Sequence, residues 1–329
     1  MRSAVVYVID KNGYELARHA ATSFLLTQSH FQDVHVFCHN FMPDPADRLI
    51  KIAQQTGVQV HVEPIDGPNL NGIKINQYTP QTALLKFKSV NEIAHAYDRV
   101  LCVDHDILFF EDVFLEKVNL EDFPIGAVYD LAEISGLANS SFAQHCRQNN
   151  RSTHYFNSGF MLFDCSKWDR DLEDRYLQLL EEHGLHCDYK KFCTTVDQCA
   201  FNRLFENNWK RLTLNFNMQA CAIFTDKWAR ASVRHYQGKR KFLPIQPWRN
   251  DSRDVRLLKR VRRALGYHNF LYPPFNILYG LNAIRKKANI ERANKAITLA
   301  ELMSSEPIQA SQNAGIGSKT SGKTGGLMM

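Results

Sequence analysis

Residues 99–113 read RVLCVDHDILFFEDV, and this stretch decides the fold. Val100, Leu101, Cys102 and Val103 form a short apolar run of the kind that fills a parallel strand buried on both faces. Asp104 and Asp106 follow at its exit, and open α/β sheets bind ligands just beyond the carboxyl ends of such strands. Hard carboxylate oxygens in that place suit Mg²⁺ or Mn²⁺, with open coordination positions left for phosphate oxygens. A turn-capping aspartate followed by a solvated one would give the same letters. The spacing recurs at Asp169 and Asp171, in KWDRDLEDRYLQLLEEHG, where Leu172, Tyr176, Leu179 and Leu180 mark a helix face and the acids suit the helix amino terminus.

Working outward, strand-like and helix-like stretches alternate, which predicts an α/β domain with a central mixed, mostly parallel sheet. SAVVYVI reads as a buried strand and NGYELARHAATSFLLTQ as the helix after it. DVHVFCH, a helix over DPADRLIKIAQQTG, and VQVHVE follow. A helix from Thr82 to Ala96 leads into the aspartate strand, then come PIGAVYD, FNSGFMLFD, a helix from near Lys167, and a helix over DQCAFNRLFENNW. KRLTLNFN and SVRHYQG read as late strands. From about residue 304 the chain turns polar and glycine-rich, too poor in apolar surface to offset ordering, so disorder is expected over 304–329.

The composition, 44% hydrophobic in 329 residues, suffices for a core. No window has the apolar length to cross a bilayer, and the opening MRSAVVYVID reaches an aspartate too soon for a secretory signal, so a cytoplasmic chain is expected. The eight cysteines lack a Cys-x-x-Cys pair, and reduced thiols are expected. His183, His186, Cys187, Cys193 and Cys199 cluster in sequence, but their spacing fits no common zinc set.

Charge is unevenly placed. Residues 1–226 hold 20 Lys and Arg against 29 Asp and Glu, whereas 227–295 hold 18 against 3. Leu257, Leu258, Val261 and Leu265 share a helical face beside Arg256, Lys259, Arg260, Arg262 and Arg263, and an aromatic and aliphatic stretch follows. Apolar side chains beside clustered cations suit a helix on an anionic membrane surface. A helix docked on its own domain with a solvated basic face fits the same pattern. Nucleic acid is not expected as a partner.

Four other segments bear on chemistry. In VRHYQGKRK, His235 ends a strand-like run, Gly238 permits close backbone approach and Lys241 offers a point charge to a phosphate. Asp10 follows the first strand and shares the edge of Asp104 and Asp106; it suits a capping role as well, and Tyr14 offers a ring for stacking. Asn157 begins an otherwise apolar strand in FNSG, and VDQCAFN places Asp197 and Gln198 at a helix start.

VIDKNGY, VDHD, YFNSGFMLFD, VDQCAFN and HYQGKRK occur in the order and approximate spacing of glycosyltransferase family 8, and over residues 4–248 the chain resembles that family of retaining enzymes. The resemblance implies a GT-A fold, a UDP-sugar donor and a divalent metal; two carboxylates with an imidazole fit Mn²⁺ somewhat better than Mg²⁺, which stays an alternative. It makes Asp104, Asp106 and His235 the metal ligands. It gives Gly238 and Lys241 to the diphosphate, the Asp10, Asn12 and Tyr14 region to the uracil, and groups His105 and Lys86 with the donor-binding residues, Lys88 being an alternative to Lys86. Asp130, Asn157 and Asp197 are implied to contact the donor sugar, with Gln198 nearest the reacting carbon, as nucleophile or as positioning group.

Three positions depart from the pattern: Gly13 separates Asn12 from Tyr14, Cys199 stands where a second aspartate is common, and Phe242 to Gln246 separate Lys241 from Pro247 and Trp248.

The resulting expectation is a hexosyltransferase, with galactose or glucose moved from UDP to a cell-envelope glycan such as a lipopolysaccharide core. The domain layout expected is a catalytic domain over 1–250, a basic amphipathic segment over 251–303 on the inner face of the plasma membrane, and the tail. A metal-dependent sugar-nucleotide or glycan hydrolase, and a non-catalytic membrane-associated sugar-nucleotide binder, are the competing readings.

Overall fold

The computed structural model describes residues 1–30, 33–45, 47–67, 81–134, 154–169, 171–186, 196–246, 248–268 and 275–305. The elements in chain order are β1 (Ser3–Ile9), α1 (Tyr14–Thr27), β2 (Asp33–Cys38), α2 (Arg48–Thr56), β3 (Gln59–Pro64), α3 (Gln81–Leu84), α4 (Lys86–Ile93), β4 (Arg99–Val103), β5 (Ile107–Phe109), β6 (Ile125–Tyr129), α5 (Leu131–Ile134), β7 (Phe156–Asp164), α6 (Asp171–His186), α7 (Val196–Leu204), β8 (Lys210–Arg211), β9 (Met218–Gln219), α8 (Asp226–Arg230), β10 (Val233–His235), α9 (Ser252–Ala264), α10 (Phe275–Arg285) and α11 (Lys287–Ser305).

Seven strands form one sheet in the order β3-β2-β1-β4-β7-β6-β8. β3, β2, β1 and β4 run parallel, β7 runs antiparallel to both its neighbours, and β8 runs parallel to β6. Every residue of β1 is buried, as its unbroken apolar sequence requires, while the outermost β3 is half exposed and alternates Val with polar residues. The mixed, mostly parallel sheet expected from the alternation is present.

A second sheet, β5-β10-β9, stands at the carboxyl edge of the first. It is built from the residues just after β4 and from β10, which pairs antiparallel to β5 with His235 opposite Ile107. Phe24 of α1 meets Phe109 of β5 edge-on with ring centroids 5.1 Å apart, so the helix after β1 also backs this small sheet.

Several local expectations change. The helix expected over Thr82 to Ala96 is two short helices meeting at Leu85, followed by a 3₁₀ turn over Ala94–Ala96. The helix expected from near Lys167 begins at Asp171, behind a 3₁₀ turn over Cys165–Lys167, with Asp169 Oδ1 accepting from the Asp171 amide at 3.0 Å. KRLTLNFN is strand only at Lys210–Arg211, because the Thr213 hydroxyl accepts from the Asn215 amide at 3.1 Å and turns the chain into a 3₁₀ helix.

The basic segment is partly docked. Leu257, Leu258 and Val261 of α9 are buried in the main core, each contributing about 1.5–3 kcal/mol, so the apolar face assigned above to lipid packs on the protein itself. Arg234 on β10 and Asp254 on α9 are both fully buried and paired, which fixes α9 to the strand that carries His235.

No described helix is long and apolar enough to cross a membrane. Among the described residues, Cys38, Cys102, Cys165 and Cys221 are free thiols. Of the sequence cluster weighed for zinc, Cys187 and Cys193 lie outside the described residues, as does the expected disordered tail beyond Ser305.

Candidate functional site

The carboxyl edge of the main sheet gathers residues from several separate segments. Asp104 leaves β4 with its amide donating to the Gly159 carbonyl of β7 at 2.9 Å, and its own carbonyl accepts from Ile107 at 3.3 Å, closing a tight turn. That turn carries Asp106 inward. The β5–β10 register then brings His235 beside it: Nε2 lies 3.1 Å from Asp106 Oδ1 and 3.6 Å from Asp104 Oδ2. Asp106 and His235 are buried, and Asp104 is partly open.

The protonation of this group follows from a chain of side chains that begins at a carboxylate. Asp130 Oδ2 only accepts, so the Asn157 amide nitrogen faces it at 3.0 Å. Asn157 Oδ1 is therefore an acceptor, and it takes the Gly159 amide at 3.1 Å and the Asn217 Nδ2 at 2.9 Å. That leaves Asn217 Oδ1 to accept from His235 Nδ1 at 3.1 Å. With its proton on Nδ1, the ring is the tautomer that offers Nε2 to a metal held between the two carboxylates. Asp106 Oδ1 is a buried oxygen without a hydrogen bond. One oxygen of each aspartate and a nitrogen of His235 lie within 4.8 Å of one another. Two carboxylate oxygens and one imidazole nitrogen converging on one point are the donor set of a divalent cation, and the residues fit such a metal.

Gly159 makes room for this. A Cβ there would sit 2.3 Å from His235 Cε1 and 2.8 Å from Nδ1, so only glycine admits the ring. Sequence reading singled out neither Gly159 nor Asn217. FNSG carried the first in plain view, whereas the second follows NF in a run read as strand and left no signal.

Two lysines flank the acids. Lys86, at the first turn of α4, reaches Asp104 Oδ1 at 2.7 Å, Asp197 Oδ2 at 3.4 Å and the Ser158 carbonyl at 3.3 Å. Burial disfavours its charge, but the two carboxylates outweigh burial and raise its pKa, so it stays an ammonium. Lys88 instead donates to the Asp66 carbonyl at 3.1 Å, so of the two lysines Lys86 is the one in the site. Lys241 pairs with Asp106 Oδ2.

A polar platform lies behind. Gln198 at the start of α7 accepts at Oε1 from Asn157 Nδ2 and the Ser158 amide, both at 3.1 Å, and donates from Nε2 to Asp130 Oδ2 at 3.0 Å. Asp130 Oδ1 caps α5 through the Ala132 and Glu133 amides. Asp197 takes the Ser158 hydroxyl at 3.2 Å, and burial raises its pKa despite Lys86. Cys199 Sγ lies 3.1 Å from the Tyr155 hydroxyl.

The remaining candidates surround this centre. Asp10 Oδ1 accepts from the Gly13 amide at 2.8 Å, capping the turn before α1, and His105 passes beside Gly13. Asn12 is exposed, and Tyr14 packs edge-on against Phe41 at 5.5 Å. Gly238 has φ +65°, a conformation suited to glycine, in the turn between His235 and Lys241. Phe242 is fully buried against Tyr236, so the residues that separate Lys241 from Trp248 begin with a core side chain.

Comparison with known proteins gives the same placement. The family model for glycosyl transferase family 8 matches residues 4–251. General stress protein A of Bacillus subtilis (strain 168) is 21% identical over 226 residues, covering 66% of this chain and 75% of its own. Among solved structures, an active-site mutant of LgtC superposes with a TM-score of 0.63 at 21% identity over 81% of this chain and 97% of that one. The galactosyltransferase LgtC in complex with donor and acceptor sugar analogs gives 0.59 at 19% identity, over 84% and 99%. The apo glycosyltransferase GlyE of Streptococcus pneumoniae TIGR4 gives 0.54 at 18% identity, over 88% and 64%.

Proposed function

The chain belongs to glycosyl transferase family 8 and has the GT-A fold, and on that premise we propose that it transfers a hexose, galactose or glucose, from a UDP-sugar to a glycan acceptor with retained anomeric configuration. The observation that carries the donor class is the convergence of Asp104, Asp106 and His235 on one point, with Lys241 at its rim. Those three residues would hold a divalent cation, Mn²⁺ in this reading, which would supply positive charge against the diphosphate.

The protein's own groups do the rest. Lys241 turns its ammonium from Asp106 towards the diphosphate and stabilises the charge that grows on the leaving oxygen. Gly238 lets the backbone pass close to the phosphates, and Asp10, Asn12, Tyr14 and His105 border the base and ribose. Asp130, Asn157, Asp197 and Lys86 hold the hexose through its hydroxyls. Gln198, tied at both ends of its amide, presents a fixed dipole near the anomeric carbon and acts as a positioning group. The acceptor enters on the face the UDP leaves, and the departing phosphate oxygen takes its proton.

The acceptor is a cell-envelope glycan, such as a lipopolysaccharide core, met at the inner face of the plasma membrane. Support for a surface location comes from α10, where Ile277, Leu281 and Ile284 are 65%, 52% and 75% exposed at helical spacing beside exposed Arg285, Lys286 and Lys287. Replacing Ile277, Leu281 and Ile284 with Asn should abolish co-sedimentation with anionic vesicles and leave UDP binding unchanged; unchanged sedimentation overturns the membrane location.

The reaction itself is tested by incubating the purified protein with UDP-galactose or UDP-glucose, Mn²⁺ and glycan acceptors. A lengthened glycan with retained configuration, lost in Asp104→Ala, is the expected result. Free hexose with no lengthened glycan makes the protein a hydrolase, and metal-dependent UDP binding with no turnover makes it a binder.

A further inference from the structure

We propose a second divalent-cation site, independent of the first, formed by Asp33, His35 and His61 at the opposite end of the sheet. Asp33 opens β2, so it lies at the amino end of the parallel strands, away from the edge where Asp104 lies. The period of two puts Asp33 and His35 on one face of β2, and the parallel register sets His35 beside His61 of β3. One ligand atom from each of the three lies within 4.8 Å of the other two. The imidazoles face each other with centroids 4.5 Å apart, and His61 Nε2 is 3.8 Å from Asp33 Oδ1.

The hydrogen bonds here leave one buried acceptor nitrogen unused. Tyr97 has one hydroxyl proton and gives it to Asp33 Oδ2 at 2.5 Å, so its oxygen accepts from His35 Nε2 at 2.9 Å. The proton of His35 is therefore on Nε2, and its Nδ1, on a ring only 5% exposed with its backbone, has no hydrogen-bond partner. Glu63 Oε2 waits 3.6 Å from that nitrogen. For the cation to bind at Nε2, the His35 ring swings off the Tyr97 hydroxyl, which keeps its bond to Asp33, and the Nε2 proton moves to Nδ1 and is donated to Glu63. The proton count of the protein is unchanged. The product is a metal-bound histidine oriented by a carboxylate through its other nitrogen, with Asp33 itself held by Tyr97.

Two imidazoles and one carboxylate select a borderline cation such as Zn²⁺ over Mg²⁺ or Ca²⁺. Access comes through His61, which is partly exposed on the outermost strand and free to tilt from the stacked position so that its lone pair meets that of His35. The cation would fasten β3, the half-exposed end strand, to β2.

Zinc alone is the probe. The full chain carrying Asp104→Ala, which disables the other cluster, is dialysed against zinc chloride and its bound metal counted. One equivalent is expected, with Co²⁺ in its place giving visible ligand-field bands, and a rise in Tm on zinc addition. Adding His61→Ala, or the milder His61→Gln, should abolish the bound equivalent, the bands and the Tm shift, while the metal-free Tm stays within a few degrees because His61 is a surface side chain. Absence of bound zinc in the Asp104→Ala protein, or zinc retained after His61 is replaced, overturns the site.

Discussion

Asn217 Oδ1 accepts the proton of His235 Nδ1 at 3.1 Å, and this contact is why the opposite nitrogen of the ring faces Asp104 and Asp106 with its lone pair. The amide is itself oriented through Asn157 by Asp130. A carboxylate thus determines the tautomer of a histidine through two intervening amides.

Asn217→Leu removes that acceptor while keeping the branched shape of the side chain. Mn²⁺ affinity, read from the free-ion EPR signal, should fall about 10–100-fold, and the apo protein should show mixed His235 tautomers by ¹⁵N NMR. A variant with unchanged affinity and tautomer ratio removes the role assigned to Asn217.

Gly159→Ala puts a methyl where His235 Cε1 lies only 2.3 Å away. The ring must leave its place, so Mn²⁺-dependent UDP binding should be lost while far-UV circular dichroism is retained, with a stability cost of about 1–3 kcal/mol from overpacking. Binding that survives the methyl would show that His235 is not required where it stands.

Lys86→Met strips the counter-charge from Asp104 and from buried Asp197. Leaving carboxylates uncompensated in the interior costs about 3–5 kcal/mol, measurable by urea denaturation. Adding Asp197→Asn should recover part of that loss, since the second change removes a charge that no longer has a partner.

Thiol ionisation gives a pH dependence with a definite sign. Burial raises Cys38, Cys102, Cys165 and Cys221 from 9.0 to about 12. Below pH 9 the thiols are neutral in folded and unfolded chains alike, and their contribution to stability is complete. Between pH 9 and 12 the unfolded chain releases protons that the folded chain retains, so stability falls as pH rises and the contribution is lost above 12. Thermal melts from pH 8 to 10.5 should show Tm declining, and replacement of Cys102 by Ala should flatten that decline.

The strand of Val100 to Val103 with its acidic exit, the alternation that makes a mostly parallel sheet, and the collinear segments that mark the family were all legible in the chain, because each is a local pattern of side-chain chemistry and spacing. Which of Lys86 and Lys88 faces the site was not, since two short helices meet at Leu85 and turn the first lysine inward. Nor was the destination of Leu257, Leu258 and Val261: an amphipathic helix announces an apolar face but not what covers it, and here the core does. The lone-pair direction on His235 lay equally out of reach. Hydrogen-bond polarity passes from Asp130 to Asn157 to Asn217 across three distant stretches of chain, and only their meeting in space determines where the proton sits.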